Sequence, residues 1–560
     1  MGMRFQSVLF ALLVSACSGD TVHLGGGPPE FACVERCYVD RDLQRDAGAY
    51  FYGPLAIEGT EPEIVYPLPD STHPFTLQEL TVQWRRLDRR QTVNRLRFSA
   101  RSPDVTYDYF APCFATPDEG CRFTLPEDEY RLMAFELRGR DVELTISGTD
   151  GRGGPVATSA PLHFGFTPER LENKGFYYWG QLQTANEGTV GVTYRLAFGA
   201  VRPDVFIQPN SEANPLACSG CHTVSRDGST IAFTARTSML TGDERAGELV
   251  VALTRRVDEP LVSPGPTYDS SMMALTGDGK RVLVAYNDTL DLRHTAPNEA
   301  LGTAAGDVIT EIPPALLGGK LGYFPEFSPT DDDRIALTLS SDPDTPHAVR
   351  NGEIAIMTYD DSVAAGATPG AVAADAIFGA AEVIVPAGDG EFHFYPTWSP
   401  DGKYIAFVTA PTGVGSISYD QRDGMLRLVD VATKQVYDLA RATQGVGNWS
   451  TLPKFAPFPP EEQGGLLFLT YNSKIDYGLL LQNSQKPEDA RFAQLWMAAI
   501  DPARLPEDAS SAPVWLPFQN FAHQSHFGYW TARINCRDDV AEPCGPGEEC
   551  VNGVCVVEPR

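Results

Sequence analysis

Basic residues are scarce in this chain of 560 residues: 44 Lys and Arg stand against 73 Asp and Glu, a net charge of −29. So acidic a chain repels phosphate backbones, which excludes nucleic acid as a partner. Long apolar runs are missing too. Beyond Cys17 no stretch approaches the roughly 20 apolar residues of a spanning helix. Hydrolase signatures are absent: there is no G-x-S-x-G elbow and no H-E-x-x-H helix. The run Asp331-Asp332-Asp333 lacks the downstream glutamate of a calcium loop, so it reads as a solvated turn. Cysteine is limited to 11 residues, so its grouping carries information.

The first residues, MGMRFQSVLFALLVSACSGD, place one basic residue, Arg4, before a short apolar run that ends in Val14-Ser15-Ala16-Cys17. The run is a signal peptide in length and character, too short to span a bilayer. With a cysteine directly after Ser15-Ala16, residues 1–17 resemble a lipoprotein signal. The resemblance implies that the Cys17 thiol carries a lipid and becomes the mature N-terminus. Acyl chains would then hold a soluble domain on the membrane. By resemblance to sorted lipoproteins, Ser18 implies the outer membrane, with the protein facing either the periplasm or the exterior.

The remaining cysteines are expected to serve two purposes. Cys33, Cys37, Cys113, Cys121, Cys536, Cys544, Cys550 and Cys555 are even in number and locally grouped. Export to an oxidising compartment makes disulfides their natural fate. Cys33–Cys37 and Cys113–Cys121 are the expected pairs. The four tail cysteines allow three pairings, which stay open.

The organisation is read as essentially all-β. Residues 18–60 hold a GGGPPE tether and an irregular cysteine-containing segment. Residues 61–165 carry alternating stretches, TVQWRRL, NRLRFSA, VTYDYFA, YRLMAF and VELTISG, which predict strands of a β-sandwich. This module resembles an immunoglobulin or fibronectin domain, with Trp84 in its core.

From about 175 to 533 a unit recurs, clearest in YPTWSPDGKYIAFVT at 395–409: a short strand, an Asp-Gly turn, then an apolar strand. Ser225, Thr276, Ser328, Ser399 and Ala456 mark the unit at steps of 51, 52, 71 and 57 residues. Pro396, Trp398, Ser399, Pro400, Asp401 and Gly402 match the P-x-W-S-P-D-G pattern, so the segment resembles a TolB-like β-propeller. Six blades are expected, the last built from 175–199 and 525–534, so that the two chain ends close the ring. Residues 534–560 form a small disulfide-rich tail.

One motif carries chemistry. Cys218-Ser219-Gly220-Cys221-His222 is C-x-x-C-H, the attachment signature of c-type haem. The two thiols of Cys218 and Cys221 would add to the haem vinyl groups, and His222 would reach the iron from one face. The resemblance to c-type cytochromes is confined to these five residues. A thioredoxin-like motif would need a βαβ setting that is missing here. A plain disulfide and half a zinc site remain the alternatives.

The unit alignment puts His222 at the start of an inner strand, near one mouth of the propeller channel. The candidate second iron ligands are then Met273 and Met272, followed by His526, His523 and His393, with Tyr395 and Trp449 as neighbours. These readings imply an envelope-anchored electron carrier or redox or ligand sensor with one covalent haem c and an unidentified redox or protein partner. The alternatives are a non-haem scaffold recognising protein or glycan, and a haem peroxidase with His393 as acid–base residue.

Overall fold

The computed structural model describes residue 33 and residues 36–557, except 57, 78, 102–103, 117–119, 185–187, 201, 208–217, 237–249, 257–266, 270–271, 287, 346–347, 414–415 and 537–543. Residues 1–17, with the expected signal segment and Cys17, lie outside the described residues. The chain is mostly β. Among the described residues no helix is long and apolar enough to cross a membrane.

Two sheets face each other in the N-terminal unit. One runs in the order 37–39, 105–112, 93–100, 141–149, 162–166, 72–73, and the other in the order 63–66, 81–85, 121–124, 114–115. Trp84, Leu96, Phe98, Leu144 and Ile146 are fully buried between them, as period-two alternation requires. The expected Trp84 core position is where the structure puts it.

Two details differ from the sequence reading. YRLMAF is no strand but the centre of a helix, Glu127–Leu137 (α1). Its buried residues, Tyr130, Met133, Ala134 and Leu137, follow the i, i+3, i+4, i+7 spacing of a helix face. Three acidic residues in its first turn suit the helix dipole. The 18–60 segment is also less irregular than expected, because Cys37–Val39 pairs in parallel with Asp108–Phe110 and so belongs to the first of these sheets.

Six four-stranded antiparallel sheets follow. Five are each built from consecutive stretches of chain. Their first strands are β1 (Cys218–Val224), β2 (Met272–Leu275), β3 (Leu321–Phe327), β4 (Glu391–Trp398) and β5 (Thr451–Phe455). The sixth joins the two ends: β6 (Ser525–Thr531) pairs with Gly175–Thr184, which pairs with Gly188–Ala197 and then Asp204–Ile207. Each first strand lies against that of the next sheet, and β6 lies against both β5 and β1. The six first strands therefore form a closed cycle.

The Asp-Gly turn recurs with the same bonds wherever its residues are kept. Ser399 Oγ donates to Asp401 Oδ1 (2.6 Å), which accepts from Lys403 N (3.2 Å), while Tyr404 N donates to Ser399 Oγ (3.0 Å). Ser225 with Asp227 and Thr276 with Asp278 repeat the arrangement. Gly402 sits at φ +68°, which a Cβ would strain. In the third unit Asp332 takes this left-handed place at φ 51°. It is not a solvated turn residue: its carboxylate accepts from Gly277 N (2.8 Å) and Arg226 Nη2 (2.5 Å), tying two neighbouring sheets together.

Disulfides Cys33–Cys37 and Cys113–Cys121 form as expected, and the tail resolves to Cys536–Cys550 and Cys544–Cys555. The tail sheet docks on the sixth sheet through Val557 N, which donates to Asn173 Oδ1 (2.8 Å), and Glu548, which accepts from Ala197 N (2.5 Å).

Candidate functional site

The first strands share an irregularity that places the site. Phe324, Tyr395, Leu452 and Phe527 are non-glycine residues at φ 53°, 55°, 50° and 57°. Each stands four residues before Ser328, Ser399, Ala456 or Thr531, and the sheet register slips beside each. A β-bulge re-aims the strand at such points, and left-handed backbone at bulky residues persists only where packing imposes it. Counting back four from Ser225 gives Cys221, and from Thr276 gives Met272. The register of β1 slips between Ser219 and His222. The second cysteine of CSGCH thus stands at the bulge position of the cycle. The side chains of Cys218 and Cys221 lie outside the described residues.

His222, the next residue, is buried (2% exposed), with its ring centroid 5.4 Å from that of Tyr529 on β6. His526, also on β6, stacks 4.3 Å from Trp179 and lies 4.9 Å from Phe527. Desolvation lowers its pKa to about 3, and repulsion from His222 and Lys474 adds to the effect. At neutral pH this imidazole is uncharged and keeps a lone pair for a metal. The structure therefore brings two of the sequence candidates, His222 and His526, to one place.

The other candidates are distributed differently. Met272 belongs to the same buried cluster as Tyr323, Phe324 and Tyr395. Met273 packs on the opposite face with Ala232, Val282 and Val284, between two sheets. His523 precedes β6 in a turn, where its carbonyl accepts from Gln494 Nε2 (2.6 Å). His393 is buried, its Nδ1 bonded to Thr409 Oγ1 (2.9 Å) and its ring edge-on to Phe407. Trp449 lies under Lys474 Nζ at 4.5 Å.

Burial, reinforced by Arg427, pushes the pKa of His393 down to about 4. The unfolded chain takes up a proton near pH 6.5 that the folded chain refuses until about pH 4, so this histidine costs stability as pH falls through that window. Lowering the pH from 7 to 5 is expected to reduce the stability of the wild type by about 2 kcal/mol relative to His393→Gln. Urea unfolding of both proteins at the two pH values measures the difference. A gap independent of pH would contradict the assignment.

A polar ring was not legible from the motif. Thr223, Ala274, Glu326, Thr397, Lys454 and Tyr529, one from each first strand, line a cavity of about 120 Å³. All six stand two residues before the residues that mark the unit, so the alignment held the signal. Glu326 Oε1 accepts from Thr397 Oγ1 (2.7 Å) and Trp398 N (3.0 Å). Its other oxygen pairs with Lys454, whose ammonium lies 4.8 Å from the Tyr529 ring centroid.

No protein-family model matches this chain, and no curated protein matches it. Its likenesses are to solved structures. It is similar to an oligogalacturonate lyase in complex with manganese at 12% identity, over 57% of this chain and 69% of that one, with a TM-score of 0.28. It is similar to hydrazine synthase of Kuenenia stuttgartiensis at 11% identity, over 65% of this chain and 48% of that one, with a TM-score of 0.36. The match thus spans about half of the hydrazine synthase chain.

Proposed function

We propose that the six sheets are the blades of a TolB-like β-propeller and that this propeller carries one covalent c-type haem at its channel. Cys218 and Cys221 would hold the haem, and His222 would bind its iron. The observation that carries this reading is the position of CSGCH: its second cysteine falls at the bulge position of a first strand, immediately before a buried histidine close enough to act electrostatically on a second, neutral histidine, His526. Two imidazoles among aromatic rings form a donor set that suits haem iron.

The haem supplies a one-electron couple. The chain's part is to hold and shield it. His222 would bind the iron. His526, kept uncharged by burial, is the first choice for a second ligand, ahead of Met272. Met273 loses its sequence-based priority because it fills the space between two sheets. The rings of Tyr529, Phe527 and Trp179 pack on the two histidines and would limit water, which would reduce solvent reorganisation when the charge changes. Because His393 is engaged with Thr409 inside its own sheet, electron transfer or redox sensing is favoured over peroxide chemistry. With the lipid anchor at Cys17, the protein would work on the outer membrane with a redox or protein partner of the envelope.

The test is expression with and without a haem-attachment system, followed by a denaturing gel stained for haem. A band that survives denaturation only with the attachment system is expected. Its absence in both cases would leave a scaffold propeller in which Cys218 and Cys221 form a disulfide.

A further inference from the structure

Beside His222 lies an ion pair to which the proposed function gives no task. Glu326 and Lys454 meet across the centre of the cycle, their side chains only 21% and 17% exposed. Tyr529 connects them to the site: its ring centroid is 4.8 Å from the Lys454 ammonium and 5.4 Å from the His222 imidazole centroid. Thr397 and Trp398 N fix the carboxylate from the far side. Two hydrogen bonds to Glu326 and the Tyr529 ring over Lys454 hold this pair in one geometry.

We propose that the fixed charges of Lys454 and Glu326 set the reduction potential of the haem held by His222, an inference that rests on the haem reading. Reduction adds one electron from a chemical titrant to the ferric iron, and no group of the chain is itself oxidised or reduced. A cation near the iron favours the reduced state and an anion the oxidised one. In the wild type the two charges largely cancel. Removing one leaves the other uncompensated in a poorly screened channel, where a unit charge at roughly 10 Å shifts the one-electron equilibrium on the order of tenfold, about 59 mV.

The predicted signature is a pair of opposite signs. Glu326→Gln leaves the lysine and should raise the midpoint potential. Lys454→Met leaves the carboxylate and should lower it. The double variant carries neither charge and should stay near the wild-type value. Potentials are read by spectroelectrochemical titration of the full haem-loaded chain.

If either single variant does not fold, the double variant still decides, because a shift as large as tenfold in the absence of both charges would overturn the proposal. Single variants that fold but leave the potential unchanged, or move it in the same direction, would also overturn it. These failures differ from failure of the underlying reading, in which the wild-type chain shows no covalent haem at all.

Discussion

A chain cut after Gln524 is expected to lose cooperative unfolding. The cut removes β6, which supplies the innermost strand of the sixth sheet and touches the first strands on both sides. Gly175–Thr184 would be left as an open edge, a ready site for aggregation. The loss is larger than strand pairing alone. Trp530 packs 4.7 Å from Phe176 and 4.8 Å from Phe198, and its indole N–H donates to Thr470 Oγ1 (2.9 Å). Trp530→Ala alone should cost about 3–5 kcal/mol. Urea unfolding followed by circular dichroism checks both. A truncated chain that unfolds in one sharp transition at the wild-type midpoint would mean that the ring does not depend on closure by its ends.

Replacing Cys218 and Cys221 together by Ser is expected to abolish covalent haem while leaving the β fold intact. The thioethers are the only covalent bonds proposed between haem and chain, so no haem should run with the denatured protein. The backbone change is small, since both residues lie in a strand whose register already slips beside them. Haem staining and far-ultraviolet circular dichroism of the same sample separate the two effects. A variant that retains haem after denaturation would place the attachment elsewhere. A variant that fails to fold would assign the cysteines a structural role.

The repeat was legible because its turn chemistry is local. Ser399, Asp401 and Gly402 bond within five residues, and such short-range bonds leave the same letters in each unit. The sharing of one sheet between 175–199 and 525–534 was also legible, since each end offered strands without partners, while the fourth strand, Asp204–Ile207, was not read. The helix α1 was misread because over six residues YRLMAF satisfies alternation loosely. The decisive spacing, Tyr130 to Leu137, spans eight residues and lies partly outside that window.

The candidate site was only half legible. A five-residue motif names its own residues, but His526 comes from a strand some 300 positions away, and nothing local distinguishes it from His523 or His393. The Glu326–Lys454 pair required the alignment to be read at a second offset, two residues before Ser328 and Ala456. Met273 ranked first because it aligns with His222, each three residues before its unit marker, and its packing against Ala232, Val282 and Val284 is not visible in an alignment.

The measurement that bears most directly on the central claim is the intact mass of the chain purified from cells able to attach haem. The predicted mass exceeds that of the processed, lipidated polypeptide by one haem per chain, and the increment disappears in the Cys218→Ser, Cys221→Ser variant. A chain without the haem increment, lighter by two hydrogens at Cys218 and Cys221 than the free dithiol, would contradict the account. It would show that the motif closes a disulfide and that the chain carries no haem.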